Sequence, residues 1–242
     1  MLYYDFISPG EEGFKGLMLD EFLSAGYYRM QHKIFTTHYT AFEEDGPVSP
    51  VFWLRTDLHK LKENKTATAI RKKCVPFLVE YKKAIINTEH EALYNDYRNH
   101  INFSTAPTCS EYLHAEDSEN PYDSWMIEIR DAGLLIATGF FDKGRAAISG
   151  LINFYHPGYK KYSLGKFLML KKIDYARANN ISLYYTGYIS VSNSKFDYKL
   201  FPDEQAIEVY LPVEKKWVRY DATGKRMLEA YFFNCINELL KS

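Results

Sequence analysis

Between Gly150 and Lys199 the chain reads GLINFYHPGYKKYSLGKFLMLKKIDYARANNISLYYTGYISVSNSKFDYK, and this stretch limits the possible folds more than any other. An apolar strand runs into Phe154-Tyr155-x-Pro157, and a Ser163-Leu164-Gly165 turn then opens a helix. Leu164, Phe167, Leu168, Leu170, Ile173 and Ala176 fall mostly on one side of that helix, opposite Lys166, Lys171, Lys172, Asp174 and Arg177. Asn179-Asn180 ends it, because asparagine tolerates the left-handed backbone that stops helices. Ile181, Leu183 and Tyr185 then alternate with Ser182, Tyr184 and Thr186 as a second strand. A strand, helix and strand in this order form a crossover, so the two strands should be parallel neighbours in one sheet.

The turn opening the helix has its own chemistry. The first N–H groups of a helix lack partners within it, and the helix dipole favours negative charge there. Ser163 is suited to capping, Gly165 allows close approach, and Lys160, Lys161 and Lys166 surround the point with positive charge. An anion or phosphate site and an ordinarily capped helix with solvated lysines both fit these residues.

The flanking sequence predicts a mixed, mostly antiparallel sheet. Upstream lie a short helix over 17–25, a strand over 34–42, a turn at 43–47 and a strand over 51–58. The basic run at 57–73 carries Lys60, Lys62, Lys65, Arg71, Lys72 and Lys73, as a solvated helix face or a polyanion contact. A strand follows over 74–81, then a helix opened by a Thr88–Glu91 capping box. The polar stretch 102–122 is the expected boundary between an N-terminal half, 1–105, and a second domain, 106–242. Strands over 124–130, 134–142 and 146–155 are separated by turns short enough to make them antiparallel neighbours. Two more strands (206–211 and 216–220) and a helix (226–240) close the chain. The expected class is α+β: a mostly antiparallel sheet flanked by helices, with a smaller N-terminal α+β half.

Charge and cysteine content narrow the function classes. A formal net charge of −1 gives no overall attraction to nucleic acid, so DNA binding is not expected, although a local basic patch suffices for phosphates. Three cysteines, none as Cys-x-x-Cys, indicate neither a disulfide framework nor zinc. His32, His38 and Glu43 lack ligand spacing, so no metal site is expected. No secretory signal or membrane-length apolar run is present, and the expectation is a soluble, cytoplasmic protein.

The strand order with a phosphate-type turn resembles the acyl-CoA N-acyltransferase (GNAT) layout. Its pyrophosphate-loop slots here hold Lys160, Ser163 and Gly165, without the first glycine. A closer resemblance, over about sixty residues from 139 to 199, is to the aminoacyl-tRNA–protein transferases, the arginyltransferases and their bacterial leucyl-transferring relatives. It is carried by Asp142, Ser149, Phe154-Tyr155-x-Pro157-x-Tyr159, Ser163-Leu164-Gly165, Tyr185-x-Gly187-Tyr188 and Lys195-x-x-Tyr198-Lys199. Leu23, Gly26, Tyr28, Arg29, Arg55 and Leu93-Tyr94-x-x-Tyr97 are similar more weakly. The family's N-terminal cysteine cluster has no counterpart, its second arginine is Met30, and Ile189–Ser194 replaces the usual loop after Gly187-Tyr188.

The resemblance implies transfer of an aminoacyl group (Arg or Leu) from tRNA to the α-amine of proteins beginning with Asp or Glu. Aminoacyl-tRNA would serve as co-substrate, with no metal or other cofactor. Asp142 would steer the amine, with Tyr188 beside it as the second catalytic group. Lys160, Lys166, Lys195 and Lys199 would meet phosphates, Tyr155 and Tyr188 would stack on the terminal adenosine, and Arg29 and Arg55 would hold the acceptor's carboxylate. Ser163, Gly165, Gly187 and Tyr198 complete the expected substrate-binding set. Two other readings fit the same residues: an acyl-CoA N-acetyltransferase, and a module that binds acidic N-termini or tRNA without transfer.

Overall fold

Alternating apolar residues and short turns produce one large sheet, into which the N-terminal segment inserts strands. A computed structural model describes residues 5–41, 48–103, 105–113, 120–220 and 224–239. The first elements are β1 (Asp5–Ile7), α1 (Gly16–Ser24), β2 (Tyr28–Met30), β3 (Lys33–Thr36), β4 (Tyr39–Ala41) and β5 (Val48–Asp57). Then come α2 (Lys65–Lys73), β6 (Leu78–Lys83), α3 (Thr88–Arg98) and α4 (Cys109–Leu113). The antiparallel run is β7 (Ser124–Asp131), β8 (Leu134–Lys143) and β9 (Ala147–Tyr155), followed by α5 (Leu164–Ala178) and β10 (Leu183–Ser190). β11 (Ile207–Leu211), β12 (Lys216–Arg219) and α6 (Gly224–Leu239) end the fold, and 3-10 turns occupy Pro157–Tyr162 and Ser194–Leu200.

The large sheet has the order β12-β11-β5-β10-β9-β8-β7-β6, with β4 added on β5, and β1-β3-β2 form a small separate sheet. β9 and β10 are parallel, as the crossover requires, and the other pairs of the large sheet are antiparallel. This is the α+β arrangement expected from the sequence, a mostly antiparallel sheet flanked by helices. The boundary expected at residues 105/106 does not separate two sheets, because β5 and β6 are strands of the same sheet as β7 to β12. α5 and α2 cover one face through Leu164, Phe167, Leu168, Leu170, Ile173 and Ile70. On the other face α3 and α4 pack Leu93, Tyr94 and Leu113 against Phe140 and Phe154. The small sheet and α1 join that second layer through Leu19, Leu23, Tyr28, Ile34 and Trp53.

Several local expectations change for identifiable reasons. The strand expected over 34–42 breaks at Thr37, whose hydroxyl donates to the Tyr39 carbonyl at 2.6 Å; the turn expected at 43–47 lies outside the described residues. Asn87, not Thr88, caps α3: it accepts from the N–H groups of Glu89 and His90, and His90 Nδ1 accepts from Asn87 N–H. Glu91, freed from that role, instead accepts from the N–H groups of Cys109 and Ser110 and so ties α4 to α3. The basic run is partly neutralised, because Arg71 forms ion pairs with Glu63 and Asp174, each at 2.7 Å. Lys172, expected on the polar side of its helix, is only 1% exposed; Nζ donates to the Phe140 carbonyl at 2.7 Å and to Asn153 Oδ1 at 2.8 Å. A bulge between the Gly139 and Phe141 pairings sits beside that carbonyl, and the lysine amine fills the gap.

Candidate active site

β9 and β10 pair over only three positions, Leu183↔Ala147 to Tyr185↔Ser149, before they part. Beyond that point β9 stays with β8 as far as Ala137↔Tyr155, while β10 stays with β5 through Ser190↔Val51. The departure is built into β10 by an irregularity at Thr186 and by Gly187, whose φ of 96° is outside the range favoured by residues with a Cβ. The sheet therefore opens between the ends of β9 and β10.

Aromatic and cationic side chains line the opening. Tyr155, at the end of β9, lies 5.8 Å from the Tyr97 ring of α3, and Gly165 in the first turn of α5 sits beside it. On the β10 side Tyr188 packs edge-on to Trp53 at 5.3 Å and against Phe196 at 5.3 Å. Lys199 reaches back from the 194–200 turn to donate to the Tyr188 carbonyl at 2.9 Å. Lys195 stands over the Phe103 ring, joining the same turn to the segment after α3. Burial and the neighbouring hydroxyls of Tyr112, Tyr97 and Tyr188 push the Tyr198 hydroxyl well up, although its ring is half exposed. Tyr112 and Tyr97 are each pushed up to about 12, chiefly by burial, so these hydroxyls stay protonated donors at neutral pH. Desolvation drives the Lys199 ammonium down to about 7.

The phosphate-type turn is less specialised than its sequence suggests. Ser163 does occupy the position before α5, but with φ 56° and ψ 45° and no capping hydrogen bond from its side chain. A Cβ on Gly165 would lie 3.7 Å from the Tyr155 ring, an ordinary contact, so no tight backbone approach demands glycine there. Lys160 is exposed on the turn, and Lys166 lies 5.1 Å from the Phe201 ring.

A row of polar residues crosses the sheet at the base of the opening. Ser124, Asp142, Ser149, Tyr185, Arg55 and Glu208 occupy matching positions on six successive strands from β7 to β11 and therefore share one face. Asp142 is fully buried and accepts from Arg29 at 2.9 Å and from Ser124 at 2.6 Å; burial pushes its carboxyl up against the pull of Arg29. Its second oxygen and the Ser149 hydroxyl have no hydrogen-bond partner among the described residues. Arg29 also donates to the Leu113 carbonyl and lies 4.4 Å over the Tyr122 ring, and its side chain is 3% exposed. Arg55 pairs with Glu208 at 2.7 Å and lies 4.5 Å over Trp217. The open cationic pocket expected from Arg29 and Arg55 is thus two ion pairs: each guanidinium already holds a carboxylate of this chain. A cavity of about 770 Å³ lies at the start of β9, lined among others by Lys15, Lys83, Asn120, Lys143 and Arg145. It includes Ser124 from the polar row and none of the aromatic residues of the opening.

The structure thus gathers Tyr155, Gly165, Gly187, Tyr188, Lys195, Tyr198 and Lys199 around the opening and sets Asp142 at its base. Ser163, Lys160 and Lys166 stand at the approach to it. Sequence reasoning missed Tyr97 and Tyr112. Tyr97 enters the sequence reading only through Leu93-Tyr94-x-x-Tyr97, and Tyr112 lies in the polar stretch 102–122 taken as a boundary. Replacing Gly187 by Ala should destabilise the fold by about 1–3 kcal/mol in urea unfolding, because of the positive φ. The added Cβ would also come within 2.9 Å of Lys199 Nζ and displace that side chain.

Comparison with known proteins bears on the same elements. Residues 89–206 match the family described as arginine-tRNA-protein transferase, C terminus. A curated protein of Rhodopseudomonas palustris (strain BisB5), named aspartate/glutamate leucyltransferase, is 33% identical over 97 residues, covering 38% of this chain and 35% of that one. One of the same name from Methylobacillus flagellatus is 30% identical over 124 residues, half of each chain. The match therefore spans about a third to a half of the length of these relatives. Among solved structures, the C-terminal domain of a putative lysylphosphatidylglycerol synthetase from Agrobacterium fabrum aligns with 84% of this chain and 63% of its own, at 12% identity and a TM-score of 0.46. That likeness is too distant to carry function. The sequence match takes in most of α3, the antiparallel run, α5 and β10, so this part of the chain is similar to the arginine-tRNA-protein transferase C-terminal family.

Proposed function

We propose that this chain transfers an amino acid, Arg or Leu, from aminoacyl-tRNA to the N-terminal amine of proteins beginning with Asp or Glu, a modification that marks such proteins for degradation. The observation that carries the reading is a coincidence of boundaries. The matched segment 89–206 contains α3, β9, α5, β10 and the 194–200 turn, the elements that wall the opening. The donor ester is already activated, so the site has to position, desolvate and move a proton, and needs no metal or redox group.

In this reading the 3′ adenosine stacks against Tyr155 and Tyr188, and Lys160 and Lys166 meet its phosphates near the first N–H groups of α5. The unpartnered oxygens of Asp142 and Ser149 suit an incoming amine, which has N–H groups to donate to both. Lys195, on the 194–200 turn, is the cation placed to meet an acidic acceptor side chain. Transfer takes place in the cytoplasm, where charged tRNA and nascent N-termini coexist; no helix of the described residues is long and apolar enough to cross a membrane.

The test supplies labelled arginyl- and leucyl-tRNA with peptides beginning with Asp, Glu or Ala. Label is expected on the two acidic peptides, from one of the two tRNAs. Equal labelling of the Ala peptide would overturn the acceptor assignment. No label on any peptide, with a thermal shift on adding coenzyme A, would overturn transfer from tRNA in favour of an acyl-CoA donor.

A further inference from the structure

Lys199 has surroundings unlike those of a lysine that holds phosphate. Its Nζ lies 4.8 Å from the Tyr188 ring and 4.9 Å from Phe196, and it packs against the bulge at Gly187. Its one described acceptor is the Tyr188 carbonyl, and no carboxylate of the described residues lies within ion-pair distance of it. Tyr188 is the titratable group packed on it from β10, and Lys195 and Tyr198 flank it on its own turn. Through Tyr198 the set extends to Tyr112 and Tyr97 on α4 and α3. The one carboxylate of its own turn, Asp197, is paired with Lys225. Only the Tyr188 carbonyl and the two ring faces therefore favour the ammonium, and desolvation outweighs them and lowers it to about 7. A neutral amine donating one N–H to Tyr188 keeps a lone pair and a second N–H. A lysine that served to hold phosphate would instead need its charge.

Resting on the transfer reading above, we propose that Lys199 is the proton carrier of the reaction, taking the proton from the attacking amine and delivering it to the departing ribose oxygen. The acceptor enters as the free amine, and its nitrogen bonds to the ester carbonyl carbon. As that C–N bond forms, one N–H proton passes to the lone pair of Lys199 Nζ. The tetrahedral adduct then collapses and breaks the C–O bond to the terminal ribose. The Lys199 ammonium protonates the leaving oxygen, which releases tRNA with a free hydroxyl and the protein as an amide. The lysine ends neutral, as it began, and no further reactant is needed.

The experiment compares the wild-type chain with Lys199→Met and Lys199→Arg in the labelled-tRNA assay, with thermal melts to confirm folding. A proton carrier predicts that both variants lose at least about 100-fold in kcat, with KM for tRNA changed less than about threefold. The Arg variant fails because guanidinium stays charged and cannot accept the proton. Wild-type kcat should rise with pH through about 7. If Lys199→Arg keeps transfer while Lys199→Met raises KM for tRNA, the lysine holds phosphate and the proposal falls, although the transferase reading stands. If the wild-type chain does not transfer at all, both fall. Independently of activity, an NMR titration of Nζ-labelled lysine should show two amines titrating near 7, those of Lys172 and Lys199, and the second should be absent from Lys199→Arg. Titration of that amine above 9.5 would overturn the proposal in either case.

Discussion

Replacing Arg29 by Ala is expected to destabilise the protein by about 3–5 kcal/mol, because it strands a buried carboxylate. Asp142 is completely buried, and one of its oxygens already lacks a partner among the described residues. Without Arg29, Ser124 is left as its donor, and the carbonyls of Gln31 and Leu113 lose theirs as well. The small N-terminal sheet would also lose a polar anchor to the large one, since Arg29 lies on β2 and Asp142 on β8. Urea unfolding should show a lower midpoint at an unchanged slope. The double variant Arg29→Met/Asp142→Leu should be more stable than Arg29→Ala, because it removes both charges together. A cost under 1 kcal/mol for Arg29→Ala, additive with Asp142→Leu, would show that the two residues are not coupled.

The second large effect is a dependence of stability on pH with an unusual sign. Lys172 and Lys199 have folded-state pKa values near 7, lowered by burial from the ordinary 10.5. Between those limits the unfolded chain binds more protons than the folded one, so stability should rise as pH increases from 7 toward 10.5. Below about pH 7 both states are protonated, and the penalty is complete and constant. Each lysine contributes at most about 1.4 kcal/mol per pH unit in that window. Lys172→Met should remove the share that belongs to Lys172 and flatten the rise. At pH 10 the variant should be the less stable protein by about 1–3 kcal/mol, because the Phe140 carbonyl and the Asn153 side chain lose the amine that bonds to both. At pH 7 the gap should narrow or reverse. Unfolding curves at pH 7, 8, 9 and 10 provide the check, and parallel wild-type and variant profiles would exclude Lys172 as the source.

The fold was legible wherever local pattern and tertiary packing agree. The crossover around α5 and the antiparallel run of β7 to β9 follow from apolar period and turn length, which depend on neighbours in sequence. The place of β5 between β10 and β11 does not, because nothing in VFWLRTDL specifies partners more than a hundred residues downstream. Lys172 was misjudged because helical periodicity assigns a face to a side chain and cannot register a bulge on another strand that needs a donor. For Arg29 and Arg55 the sequence supplied the charge but not the carboxylates of Asp142 and Glu208 that meet them. Residues that follow one another, such as Tyr185-x-Gly187-Tyr188 and Lys195-x-x-Tyr198-Lys199, did come to one place. Tyr97 and Tyr112 were legible only as aromatics; their shared environment exists because Glu91 ties α4 onto α3.

The central claim is that the opening between β9 and β10 receives the aminoacyl end of the donor. A crystal structure with a hydrolysis-resistant 3′-aminoacylamido adenosine tests it most directly. The base is predicted to lie against Tyr155 or Tyr188, with the amide carbonyl near Lys199 and the base of the opening near Asp142 and Ser149. An analogue seated instead in the groove lined by Lys15, Lys143 and Arg145, with the opening filled by this chain's own side chains, would contradict it.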